Sequence, residues 1–312
     1  MVVLVVVAAV IAAYLLRRAV SPLMAVGVTQ PASTPAPAAS VTSLRVGAYN
    51  IAHGRGASFD NFGGGDRATR EARLDAIAET LRLARLNVVV LNEVDFRSVW
   101  SHHTDQAEAI AERAGYAFVA RQKNLDVGLG PWGLSFGNAV LSRFPIVSAE
   151  SLSLPTLSTV EHIAAGSKQA MVVTLDVGGR RLRLVPVHLE HRDERVRLAS
   201  AERLIARLTD SGPPLLLVGD FNSTPSGWPL AEPVASPQGQ RTALDALLAA
   251  GLTTAPSLSS SSSAPRSFPS WAPDRRIDWV LAQAPLAVMS DAVMGGDLSD
   301  HLAVIADVRL AP

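Results

Sequence analysis

Six apolar runs of this sequence end in, or lead straight into, residues able to do acid, base or metal chemistry. "VVVLNE" ends in Glu93, "LVPVH" in His188, "LLLVGDFN" in Asp220 and Asn222, and "RRID" in Asp278, while "LSDH" sets Asp300 and His301 just before a strand-like run and Asn50 closes the strand-like "LRVGAYN". Residues i and i+2 of a strand share a face, so Asp220 and Asn222 are expected to project into one site with Phe221 turned to the core. A carboxylate there holds a hard cation or steers a water, and the amide of Asn222 offers a neutral donor to a phosphoryl oxygen. Carboxylate, carboxamide and imidazole in a chain with no cysteine suit Mg²⁺ or Mn²⁺ better than a structural zinc. Magnesium keeps several waters, so Glu93 first and Asp300 second suffice as direct carboxylates. The two histidines then take acid–base roles near neutral pH, with Asp278 as the carboxylate that orients His301 and raises its basicity.

Taken singly, these residues have plainer readings. Asn50 reads as a turn residue, His188 as a satisfied histidine in a strand that Pro186 marks as an edge or bulge, and Asp278 as one half of a surface ion pair with Arg275 or Arg276. None of these accounts for the joint pattern. Among the remaining histidines, His53, His102, His103, His162 and His191 are loop candidates for touching substrate or metal, of which His53 and His102 are the best. Arg143, Arg192 and Lys168 read as solvated cations, and Trp100, Trp132 and Trp228 as packing aromatics.

The elements that must carry these residues alternate. "LRVGAYNI" (44–51), a helical face of Leu74, Ile77, Leu81 and Ala84, and "NVVVLNEV" (87–94) make a β-α-β unit whose two strands are expected to be parallel. A helix fits from Thr104, as N-cap, to Ala114 with Gly115 beyond its end. The "VGGR" turn joins "QAMVVTLDV" to "RLRLVPVHL" as a hairpin, and a second β-α-β unit follows, with a helix over 194–208 and the strand 214–222. A short helix over 242–250, a Ser-rich loop at 257–263 and two more strands close the chain. Two similar halves of hairpins plus a helix suit a two-sheet sandwich with helices outside, in one domain.

The chain has 312 residues, 48% hydrophobic and 18% charged, enough for a real core. Arg17 and Arg18 are the only charges before residue 41, so the body carries 26 basic residues against 28 acidic ones, and duplex nucleic acid is not favoured as a partner. Residues 1–28 form an apolar N-terminal segment that fits either an anchor or a signal sequence; the fifteen residues 2–16 are shorter than the roughly 20 of a comfortable span. The arginines follow that run instead of preceding it, which leaves its orientation open and the protein membrane-associated or exported. Residues 29–43 read as a Pro/Ala/Ser linker, and the folded domain is expected over 44–312 as a monomer.

Set in order, "YNI" (49–51), "LNEVD" (91–95), "GNAVLSRFPI" (137–146), "VHLEHR" (187–192), "VGDFNSTP" (218–225), "RRIDWVL" (275–281) and "LSDHLAV" (298–304) resemble the endonuclease/exonuclease/phosphatase superfamily. This is the metal-dependent phosphoesterase group of pancreatic DNase type, with apurinic-site endonucleases, inositol polyphosphate 5-phosphatases and neutral sphingomyelinases. The resemblance implies a four-layer α/β sandwich, two mixed β-sheets packed face to face with helices outside, and in-line attack of activated water on a phosphoester. It implies Glu93 as the principal metal ligand, Asn50 beside it in the metal and phosphate shell, and Asp300 as a second metal-side carboxylate. Asn138 becomes a phosphate contact and His188 the general acid or a phosphate donor. Asp220 positions or deprotonates the nucleophile, Asn222 binds the phosphoryl oxygen, and Asp278 orients His301, which is the base or an oxyanion-stabilising imidazole. Val187 stands where many members have Thr, and "RSVWSHHTDQ" (97–106) is bulkier than the usual Gly-containing loop, which bears on substrate shape. The substrate class expected is a small molecule or lipid head group. A secreted or periplasmic DNase-type endonuclease and a non-catalytic binding module on the same fold are the alternatives.

Overall fold

The structure, a computed structural model, describes residues 2–20, 26–30, 41–129, 132–157, 169–208, 212–228, 241–255 and 264–310. Residues 31–40 of the expected linker, His162, Lys168 and the Ser-rich loop 257–263 lie outside them. Helix α1 (Val2–Val20) precedes strand β1 (Val26–Thr29), and the body runs β2 (Ser43–Asn50), α2 (Arg67–Leu83), β3 (Val88–Asp95), α3 (Gln106–Ala114), β4 (Phe118–Leu129), β5 (Trp132–Ser142) and β6 (Ile146–Ser153). Its second part runs β7 (Gln169–Val177), β8 (Arg180–His188), α4 (Glu194–Leu208), β9 (Leu215–Asp220), α5 (Ala243–Ala249), β10 (Leu252–Thr253), β11 (Asp278–Gln283), β12 (Ala287–Met294) and β13 (Ala303–Arg309).

Two mixed sheets result, one ordered β1-β4-β5-β3-β2-β13-β12 and the other β10-β11-β9-β8-β7-β6. Each contains one parallel pair, β2 with β3 and β8 with β9, and each pair is joined through a helix, as the two β-α-β patterns predict. Alternation along the strands sorts the core into layers. Val88 and Val90 of β3 join Leu44, Val46 and Ala48 in the cluster shared with the second sheet, while Val89 and Leu91 join Leu74, Ile77 and Leu81 of α2 on the outer face. The four-layer sandwich expected from the sequence is the architecture observed.

The sequence boundaries shift in two places. Val26–Thr29 pairs antiparallel with β4, so the sheet takes in residues ahead of the expected start at Leu44. The cap of α3 is Asp105, whose side chain accepts from the Glu108 N–H, one residue after Thr104. Helix α4 buries Ala201, Leu204 and Leu208, leaving Leu198 and Ile205 only partly covered. The β7–β8 hairpin turns on Gly178 and Gly179, with φ of 63° and 86°, where a side chain would be strained.

Candidate active site

Strand direction gathers the reactive residues at one end of both sheets. Asn50 lies beside Asn92 at the carboxyl ends of the parallel β2 and β3, and β13 runs antiparallel to β2, so His301, two residues before β13 begins, arrives at that same end. In the second sheet Asp220 is paired with His188 on one side and Asp278 on the other. The two ends flank a cleft of about 400 Å³ lined by Glu93, His188, Asp220, Asn222, Asp300 and His301, together with His53 and Arg55.

Glu93 reaches the cleft through a bulge. Strand alternation after Leu91 would turn Glu93 toward the helices; instead the register with β5 shifts between Leu91 and Val94, Glu93 takes φ 51°, and Val94 occupies the helix-facing place. Asn92, left facing the second sheet, accepts the Asp220 backbone N–H on its Oδ1 at 3.0 Å. That close approach requires glycine at 219, where a Cβ would stand 2.1 Å from the Val187 carbonyl oxygen.

On the second sheet's side, Asp278 and His301 form the pair expected. His301 Nδ1 lies 3.0 Å from Asp278 Oδ2, which also accepts from Ser267 Oγ at 2.6 Å, and His301 Nε2 is 3.8 Å from Asp220 Oδ2. All three groups are buried. Burial pulls the His301 imidazole down, but the Asp278 and Asp220 carboxylates outweigh it and push its pKa up to about 10. Burial, reinforced by Asp278, pushes Asp220 up to about 7 against the opposing charge of His301. Asp220, Asp278 and His301 bring ligand atoms within 4.8 Å of one another, close enough for a cation. The short His301–Asp278 hydrogen bond and the burial of Asp278 behind the imidazole fit a proton-handling pair better.

The side expected to carry a metal holds Glu93 and Asp300, and a cation the sequence reading missed. Arg55 donates from Nη1 to Glu93 Oε2 at 3.2 Å and from Nη2 to Asp300 Oδ2 at 2.7 Å. It lies in the glycine-rich "HGRG" loop with no periodic pattern to flag it. Asn50 lies beside Glu93 as expected: its Oδ1 accepts the Ala52 N–H at 3.0 Å, and its Nδ2 donates to Glu93 at 3.3 Å and Asp220 at 3.1 Å. It therefore spaces two carboxylates. Oxygen donors from Glu93 and Asp300 on the cleft wall match a hard divalent cation.

Asn138 is placed a layer behind the cleft, not at a phosphate. It is fully buried, accepts from Asn92 Nδ2 at 2.9 Å and donates to Gln122 Oε1 at 3.0 Å, so it fixes the amide that holds Asp220. Asn222 lies beyond the end of β9 with φ 49°, so a turn and not strand alternation brings it round: its backbone N–H donates to Asp220 Oδ1 at 2.9 Å and its Nδ2 to the Leu189 carbonyl at 3.2 Å. Phe221 is buried in the core as expected. His188 Nε2 stands 3.9 Å from both Glu93 Oε1 and Asp220 Oδ2, between the two sides.

Of the loop histidines, His53 belongs to the cleft wall, with Nδ1 2.9 Å from Asp95 Oδ1, and His191 lines the cleft while remaining exposed. His102 is half-buried and His103 exposed, both contacting backbone carbonyls, and Arg143 bonds the carbonyls of Leu86, Ala114 and Gly115. The bulky 97–106 loop supplies Trp100, whose indole donates to Asp95 at 2.8 Å, whereas Trp228 stacks on Trp279 and Trp132 is exposed.

A model of the endonuclease/exonuclease/phosphatase family matches residues 47–301, the span from β2 to His301. The chain belongs to this family. Solved structures share its fold: an endonuclease/exonuclease/phosphatase from Beutenbergia cavernae at 24% identity and TM-score 0.60, covering 87% of this chain and 72% of that one. The mannosyl-6-phosphatase Bt3783 of Bacteroides thetaiotaomicron aligns at 15% identity and TM-score 0.57, covering 86% of this chain and all of its own, 100%. Truncated TDP2 of Caenorhabditis elegans aligns at 15% identity and TM-score 0.57 over 86% of this chain and 98% of its own. No curated protein matches the sequence.

Proposed function

We propose that this family member is a divalent-metal-dependent phosphoester hydrolase acting on a small molecule or lipid head group. The observation that carries the reading is the Asp278–His301–Asp220 series facing Glu93 across one cleft. Glu93 and Asp300 are the residues that would hold Mg²⁺ or Mn²⁺, whose charge would neutralise a non-bridging phosphoryl oxygen. Asp278 keeps His301 cationic at neutral pH, so its Nε2–H serves to stabilise negative charge on the phosphoryl group instead of removing a proton. Asp220, raised to about 7, accepts the proton of the attacking water, and Asn50 and the Asn92 amide hold it in place. His188, reaching toward both sides, is placed to protonate the leaving oxygen.

A cleft of about 400 Å³ takes a phosphate and a compact head group, and the near-neutral charge of the body does not favour a duplex. Helix α1 exposes Val3, Leu4, Val5, Val10 and Ile11, an apolar surface that supports membrane association; among the described residues no helix is long and apolar enough to cross a membrane. The test is a hydrolysis screen with the full chain on bis-p-nitrophenyl phosphate, sphingomyelin, inositol phosphates and plasmid DNA, with Mg²⁺, with Mn²⁺ and with EDTA. Turnover of the small or lipid substrates, lost in EDTA and in Glu93→Ala and His301→Ala, is expected. Turnover of plasmid DNA alone would return the nuclease alternative, and no metal-dependent turnover on any substrate would sink the hydrolase.

A further inference from the structure

Besides His301, a second histidine lines the cleft with its own carboxylate behind it. His53 has φ 52°, so its backbone sits in the left-handed region, and its carbonyl is pinned by Gln106 Nε2 at 2.8 Å and Arg70 Nη1 at 3.0 Å. Its ring is held edge-on between Trp100 and Phe136, with centroids 5.6 and 5.1 Å away. Its Nδ1 contacts Asp95 Oδ1 at 2.9 Å, and Asp95 is in turn fixed by the Trp100 indole at 2.8 Å. That contact leaves Nε2 turned into the cleft, 3.5 Å from Glu93 Oε2.

Nε2 and Glu93 Oε2 are both atoms of ligand type, and that oxygen also accepts from Arg55 Nη1 at 3.2 Å. A charge-assisted hydrogen bond would close to about 2.7–2.9 Å. Two donor atoms sharing one cation at bonds of about 2.1 Å instead stand about 3.0 Å apart at a right angle and about 3.4 Å apart at a tetrahedral angle. The observed 3.5 Å is close to the wider of these separations. A histidine whose other nitrogen is held by a carboxylate is also the arrangement that orients an imidazole for a metal.

We infer that His53 is a direct metal ligand alongside Glu93, and that this imidazole biases the site toward Mn²⁺ over Mg²⁺. The inference rests on the metal-dependent reading above. It adds a nitrogen donor to an oxygen set, and imidazole favours the later first-row ions, whereas Mg²⁺ gains little from it. Arg55 pairs with the same Glu93 oxygen at 3.2 Å and with Asp300 at 2.7 Å, so the guanidinium and an ion would meet at this carboxylate.

The test reads metal binding directly. Full-length protein is loaded with Mn²⁺ and examined by pulsed EPR for ¹⁴N coupling from a coordinated imidazole, and Mn²⁺ and Mg²⁺ affinities are measured by calorimetry. His53→Asn is the variant of choice because asparagine tolerates the left-handed backbone; thermal melting in EDTA checks its fold. The expected result is ¹⁴N coupling in the native protein that His53→Asn removes, with Mn²⁺ affinity reduced about tenfold or more and Mg²⁺ affinity changed less than about threefold. Asp95→Asn, which keeps the ligand but loosens it, should lower Mn²⁺ affinity by a smaller factor. Mn²⁺ binding without ¹⁴N coupling, or coupling that survives in His53→Asn, overturns the ligand assignment while leaving the hydrolase intact. Failure to bind either ion overturns both.

Discussion

Arg55 and Asp300, 245 positions apart, form a 2.7 Å ion pair on the cleft wall, and the same guanidinium reaches Glu93. A fixed cation thus neutralises the two carboxylates that a divalent ion would use. Removing it as Arg55→Ala should tighten Mg²⁺ binding by roughly tenfold, since a partly buried competing charge at this range is worth on the order of 1–2 kcal/mol. Calorimetric titration decides it. Weaker binding in the variant would mean that Arg55 organises the carboxylates instead of competing for them.

Activity should rise and fall with two apparent pKa values belonging to the Asp220–His301 pair. The rate is expected to climb through about pH 7 as Asp220 becomes able to accept a proton, and to decline near pH 10 as His301 loses its own. Asp278→Asn should move the alkaline limb downward by more than a unit and lower kcat by roughly a hundredfold, as loss of an orienting carboxylate does. An alkaline limb unmoved in Asp278→Asn would remove Asp278 from the pair.

Stability of the metal-free protein should run the same way. Asp220 is raised above its ordinary 3.8, so its contribution is full below about pH 4 and lost as pH rises through about 7; His301 is raised above 6.5, so its contribution is full below about 6.5 and lost through about 10. Both shifts make the Tm in EDTA fall between about pH 5 and pH 10, a trend that scanning calorimetry across that range will expose or refute.

Gly219→Ala should be among the most damaging single changes in the body. Its Cβ would press on the Val187 carbonyl and stand 2.8 Å from Asn92 Oδ1, at a backbone φ of 138°. A loss of about 3 kcal/mol or more is expected from backbone strain and overpacking together. Urea unfolding gives the value, and a loss under about 1 kcal/mol would show that the sheets can part at no great cost.

Deleting residues 2–20 tests the apolar helix. The full chain should co-sediment with phosphatidylcholine vesicles and the deleted form should stay in the supernatant, with hydrolysis of a soluble phosphodiester unchanged. Equal partition of the two forms would leave α1 without a membrane role.

The strand ends were legible because a polar residue closing an apolar run violates the pattern around it; Glu93, His188, Asp220 and His301 line the cleft, with Asp278 behind His301. Asn138 was not, since a buried amide bonded to Asn92 and Gln122 looks in sequence like one bound to a phosphate. Asn222 was expected at the site by strand alternation but reaches it through a left-handed turn, which a one-dimensional period does not encode. Arg55, Asp95 and Trp100 act through partners brought close only by folding, and a lone Arg in a glycine-rich loop carries no period at all.

The hydrogen bond from the Asp220 backbone to Asn92 crosses from one sheet to the other, and so does the bond from Asn50 to the Asp220 carboxylate. Glu93, Asn50 and His301 therefore ride on one slab of the molecule, and His188, Asp220 and Asp278 on its counterpart. A slip of one slab over the other by a fraction of a residue's rise would misalign the cleft while every helix and strand stayed intact. Heat inactivation should then run ahead of the loss of circular dichroism, making turnover the earliest gauge of how firmly the two faces grip.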